Sequence, residues 1–203
     1  MSAAAPVDAL DPGAGEATRA QRARSEPMGV APLGGGEYDV VTGDDERQVY
    51  TVDLPAGRCT CPDARLRGAR CKHLRRVAIE VTEGRVPAPG ERAARCGACG
   101  RPLHAGAEEP DPVYCGACTL RPGETVVDRE TEDLLVVVET TDSRARGTPV
   151  RGTGYTVATY PGNRGYAPDD RVIEAIYPQP AGTDPREDPP RAYSFPRGRL
   201  RRP

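Results

Sequence analysis

The chain has 203 residues, a formal net charge of −2, 22 Pro, 23 Gly, one Phe and no Trp. A hydrophobic fraction of 37% excludes one extensive core and leaves small domains that need a staple, either disulfides or a metal. No apolar run approaches the ~20 residues needed to cross a bilayer, and Met1 to Ala20 lacks the basic-then-apolar pattern of a secretory signal. A reducing cytoplasm is therefore the expected setting, where clustered cysteines bind metal instead of pairing with one another.

The small net charge hides segregation along the chain. Residues 1–55 carry −6, residues 56–104 carry +7, residues 105–190 carry −8, and residues 191–203 carry five Arg and no acid. Every basic residue but Lys72 is an arginine.

In chain order, residues 1–36 are Ala, Gly, Pro and charge without an apolar period, and end on Gly34-Gly35-Gly36. They read as a disordered arm. Tyr38 and Val40 then alternate with polar neighbours, Thr42-Gly43-Asp44-Asp45 supplies a turn, and Tyr50, Val52 and Leu54 alternate in their turn. This is a β-hairpin with one apolar face. From about Arg70 the period changes, with Cys71, Leu74, Val77, Ala78 and Val81 at helical spacing. Gly84 is placed to cap that helix, and Pro87 and Pro89 stop it. After a short linker, Pro87 to Glu91, come two cysteine pairs. Strands are then expected at Thr125–Val127, Leu134–Glu139, Gly154–Tyr160 and Arg171–Tyr177.

Seven cysteines cannot complete a disulfide framework, but with one histidine they make eight ligands, enough for two tetrahedral zinc ions. The first set is Cys59-Thr60-Cys61, nine intervening residues, then Cys71-Lys72-His73. An extended Cys-x-Cys presents both sulfurs on one side, and a Cys-x-His pair entering a helix supplies the other two ligands. Arg58, Arg70, Lys72 and Arg75 offset the charge of three thiolates on a divalent ion. The second set is Cys96-Gly97-Ala98-Cys99, fifteen residues, then Cys115-Gly116-Ala117-Cys118. Each Cys-x-x-Cys makes a knuckle, and the repeated CGAC motif marks a metal site holding zinc or, as four sulfurs also permit, iron. His104 reads as a loop residue.

The stretch VYTVDLPAGRCTCPDARLRGARCKHLRRVAIEV, Val49 to Val81, resembles the SWIM zinc finger, in its CTCPD start and in its CKH step into a helix. The resemblance implies zinc held by Cys59, Cys61, Cys71 and His73, a β-β-α unit, and a role in DNA or protein interaction. The second set resembles a zinc ribbon, a family too broad to imply a function.

The expected architecture is α+β and β-rich. It comprises a disordered arm (1–36), the SWIM unit (37–85), a ribbon-like four-cysteine segment (92–120), a small antiparallel β segment (121–196) and a basic tail (197–203). The expected function is a non-enzymatic module with two structural zinc ions and a nucleic-acid or protein partner. Both sites have a full set of protein ligands, and the sequence has no nucleophile elbow, phosphate loop or HExxH helix. No small-molecule substrate is evident. Candidate phosphate contacts are Arg65, Arg67, Arg70, Arg75 and Arg76, though those arginines equally suit a solvated face. Arg197, Arg199, Arg201 and Arg202 suit either a flexible phosphate-binding tail or a solubilising one. Two alternatives remain: an iron–thiolate redox centre at the second site, and a pure protein adaptor whose acidic β segment carries the partner surface.

Overall fold

The computed structural model describes residues 12–43, 47–179 and 189–203, which divide into two compact units. The first unit takes the chain to Ala93 together with His104–Ala107, and the second takes Ala94–Leu103 and Glu108–Pro203. A two-stranded sheet of β5 (Glu91–Arg95) and β6 (Pro102–Gly106) lies at the division.

The first unit is a four-stranded antiparallel sheet in the order β1 (Met28–Gly34), β2 (Glu37–Thr42), β3 (Gln48–Asp53), β4 (Arg58–Cys59). The expected hairpin is β2–β3, with Tyr38 opposite Val52 and Val40 opposite Tyr50. Its alternation buries Tyr38, Val40 and Val52 on one face. The turn residues Asp44 and Asp45 lie outside the described residues. The expected helix is α3 (Lys72–Thr82), which buries Leu74 and Val77 in the same cluster, with Val81 packed against it. Gly84 follows the helix at φ +67°, a left-handed conformation that a side chain would strain. A six-residue helix, α2 (Pro62–Arg67), fills the loop between the cysteine pairs; it starts on a proline, which needs no N–H partner there.

The reading of residues 1–36 as a disordered arm is corrected for its described part. Residues 12–34 form α1 (Pro12–Ser25) and then β1, which pairs with β2 from Met28↔Thr42 onward. The helix buries Ala23 against α3, and ion pairs tie it and Glu26 just after it to the finger: Arg19–Asp63 at 2.8 Å, Glu16–Arg75 at 2.6 Å, and Glu26–Lys72. An apolar-period search misses such a helix because charge and alanine, not a leucine stripe, hold it down. The edge strand β1 tolerates Pro32, whose kind argues against a central strand. Residues 1–11 lie outside the described residues.

The second unit is a five-stranded antiparallel sheet in the order β10 (Ala192–Pro196), β9 (Arg171–Ile176), β8 (Leu134–Arg144), β7 (Thr125–Asp128), β11 (Leu200–Arg201). Its core is Leu120, Val126, Leu135, Val137, Ile173, Ala175, Phe195 and Leu200. Three of the four expected strands are present. The fourth, Gly154–Tyr160, is not a strand: apart from a bridge between Thr156 and Pro149 it is a loop. There Thr156 and Thr159 turn their hydroxyls onto the local backbone, Thr159 Oγ1 accepting from Thr156 N at 2.9 Å, which competes with ladder pairing. Pro161 then opens a short 3-10 turn.

The basic-tail reading is also corrected. A 3-10 turn, Arg197–Arg199, joins β10 to β11, and Arg197 and Arg199 are buried. Arg199 forms a two-toothed ion pair with Asp128, 2.7 Å from Nε and 2.6 Å from Nη2, and donates to Asn163 Oδ1 at 2.8 Å. No helix among the described residues is long and apolar enough to cross a membrane.

Candidate metal centres

The short strand β4 delivers Cys59, and the extended step to Cys61 keeps both sulfurs on one side. Cys61 caps α2 and Cys71 caps α3, each with an extended backbone conformation, and His73 stands in the first turn of α3. Two helix starts therefore face one cluster, where peptide N–H groups favour thiolate over thiol. All four residues are buried, and their four ligand atoms lie within 4.8 Å of one another. His73 Nδ1 is 3.8 Å from Cys59 Sγ and 4.0 Å from Cys71 Sγ. Zinc–sulfur bonds of ~2.3 Å in a tetrahedron give edges of about 3.8 Å, so this donor set fits zinc. The imidazole stacks on Tyr50 with centroids 4.6 Å apart, and its buried Nε2 has no partner among the described residues.

The protons of this cluster are shared unevenly. The hydrogen bond with Cys59 brings the Cys71 thiol down, to about 3, with further help from His73 and the Leu74 N–H against the opposing effect of burial. The same hydrogen bond, together with burial, pushes Cys59 up; burial chiefly raises Cys61. One thiolate is thus ready in the folded unit, and the other two must lose protons when a metal binds.

The second set also converges. Cys96, Cys99, Cys115 and Cys118 place their sulfurs within 4.8 Å of one another, Cys99 and Cys115 at 3.8 Å, and none is in a disulfide. Knuckle bonds shape both pairs: Gly100 N to Cys96 O at 2.8 Å, and Cys118 N to Cys115 O at 2.8 Å. Burial raises the Cys96 thiol, but the backbone N–H groups of Cys115, Cys99 and Ala98 outweigh it and bring it to about 6. Cys118 is held up, at about 12, chiefly by its hydrogen bonds with Cys99 and Cys115. The two CGAC repeats are not equivalent. A Cβ on Gly97 would meet Pro112 Cβ at 2.8 Å, whereas one on Gly116 would meet nothing within 4 Å. Gly97 allows the close approach of Pro112, next to the isolated bridge between Cys96 and Val113.

Of the candidate phosphate contacts, Arg65, Arg67 and Arg70 are exposed, Arg67 with a 3.4 Å pair to Asp63. Arg75 and Arg76 are half-buried and engaged, with Glu16 at 2.6 Å and Glu80 at 2.7 Å. Residues not singled out from sequence join them. Arg24 of α1 and Arg85 line, with Arg70, Arg75 and Arg76, an open groove of about 610 Å3. That groove was illegible because one wall of it, Ala20 and Arg24, comes from a helix that shows no apolar period.

A β-sheet and helix stapled by three cysteines and a histidine define a small zinc finger. Residues 40–81 match the family model of the SWIM zinc finger. No curated protein and no solved structure matches the chain. The finger and the four-cysteine cluster can each hold one zinc. Replacement His73→Ala should leave one zinc per chain in place of two, measured by elemental analysis; two zinc ions in the variant would remove His73 from the ligand set.

Proposed function

We propose that the chain is a non-enzymatic, zinc-stapled module that binds nucleic acid through its SWIM unit. The observation that carries this is the groove lined by Arg24 of α1, Arg75 and Arg76 of α3, and Arg70 and Arg85 on either side of α3, together with Arg65 and Arg67 exposed on α2. Arg24 and Arg70 have no carboxylate partner among the described residues, so they are available to phosphates. Phosphate contacts of this kind position a duplex without reading bases. The four protein ligands in each cluster leave no open position for hydrolytic chemistry, which supports a structural role for the metals.

The test is fluorescence anisotropy of a labelled duplex with the zinc-loaded full chain over a range of salt. Affinity should fall linearly on logarithmic axes, at about −0.9 per neutralised phosphate, and the variant Arg24→Ala/Arg70→Ala should flatten the slope by about 2. Absence of binding at low salt would refute the reading. It would favour a protein adaptor instead, for which the sheet of the second unit offers exposed Leu134 and Val138 on β8.

A further inference from the structure

The C-terminal arginines end on the second cysteine knuckle. Arg197 is 5% exposed; its Nη2 donates to Cys118 O at 2.6 Å and its Nη1 to Leu200 O at 2.7 Å. Its guanidinium lies over the Tyr114 ring, 4.7 Å from the centroid. Arg202 donates to Ala117 O and, at 3.1 Å, to Thr119 O, while Glu124 holds the same guanidinium at 3.1 Å. Two guanidiniums thus grip three consecutive carbonyls, Ala117, Cys118 and Thr119, around one ligand cysteine. Buried Asp170 locks this arrangement by accepting from Tyr114 Oη at 2.8 Å and from Gly198 N at 2.6 Å.

We infer that Arg197 and Arg202 are positioning residues of the four-cysteine site, so that the end of the chain sets the metal affinity of that site. The argument has two parts. Four thiolates on a divalent ion carry a formal −2, and the Arg197 guanidinium, buried on the knuckle's own backbone, offsets part of it, while Arg202, its charge met by Glu124, acts through its hydrogen bonds. The carbonyls of a tight Cys-x-x-Cys turn also need donors, and here side chains from far along the sequence supply them and fix the turn. Outer partners that orient ligands are worth about 10- to 100-fold in metal affinity. Linkage makes the effect mutual: metal at the knuckle holds the segment from Arg197 to Arg202 in place by the same free energy with which that segment favours the metal.

Arg201 provides the control. It lies beside Arg202 at the end of β11, yet its guanidinium pairs with Glu132 and makes no hydrogen bond to the knuckle among the described residues. The test is a cobalt titration of the full chain in competition with a chelator. Thiolate-to-cobalt charge transfer distinguishes a four-sulfur site from a three-sulfur one. Arg202→Met, whose side chain is at the surface and threatens folding least, and Arg197→Met should each weaken the four-sulfur site by about 10-fold or more and leave the other unchanged. Arg202→Lys, which keeps a charge and donors, should recover part of the loss. The inference is overturned if the four-sulfur site binds equally well in both Met variants. It is also overturned if Arg201→Met weakens that site as much as they do, since the effect would then be general loosening of the sheet.

Discussion

Stripping zinc from the chain at neutral pH unfolds the unit built on β1–β4 and α3. Cys59, Cys61 and Cys71 are not appended to a core; they are part of it, in one buried cluster with Met28, Tyr38, Val40, Val52, Leu74, Val77 and Val86. Without the metal, that cluster holds three sulfur groups and an imidazole in place of apolar side chains. Structural zinc contributes about 10–16 kcal/mol of apparent binding free energy at pH 7, as large as the whole stability of an ordinary domain at 5–15 kcal/mol. The expected result is loss of helix and strand circular dichroism and of amide protection at Val40 and Val52 on adding a chelator, restored by zinc. Acidification should act in the same direction, because protons compete with metal for the thiolates. A metal-free protein with unchanged dichroism and protection would show that the apolar residues suffice alone.

Asp128→Ala should destabilise the second unit by about 3–5 kcal/mol, because it strands a buried arginine. Asp128 is fully buried and its carboxylate accepts from Arg199 at 2.6 and 2.7 Å and from Glu130 N at 2.9 Å. Burial pushes its carboxyl up, but Arg199 and the Glu130 N–H prevail and hold it below the usual range. A depressed folded-state pKa gives stability that is present above the unfolded value, ~3.9, and lost as pH falls through the folded one. The wild-type sheet should therefore lose this contribution only in acid, and Asp128→Asn should lack that acid-dependent part. Replacing both partners, Asp128→Leu with Arg199→Met, should cost less than Asp128→Ala alone, since no charge is left buried. Urea unfolding followed by circular dichroism reads all three. A single variant within about 1 kcal/mol of wild type would mean that Arg199 reaches water when unpaired.

Both ligand sets, the β2–β3 hairpin, α3 and the strands β7, β8 and β9 could be read from residue order. The physical reason is that each depends on local spacing. A Cys-x-Cys in extended chain, a period of two through Tyr38 and Val40, and a helical period through Leu74, Val77 and Val81 all state their geometry within a few residues. Where local cues competed, they misled: Gly154–Tyr160 has strand-forming residues, but Thr156 and Thr159 bond to their own backbone instead. Other elements carry no such spacing. The helix α1 is held by its Glu16 and Arg19, and by Glu26 just beyond its end, meeting charges of the finger that lie 44 to 59 residues away. The C-terminal arginines look alike along the chain, yet Arg199 is an ion-pair partner buried with Asp128, 71 residues earlier, and Arg197 grips the knuckle at Cys118, 79 residues earlier. Charge has no period and acts on whatever folding brings beside it, so the roles of these arginines were settled by long-range packing.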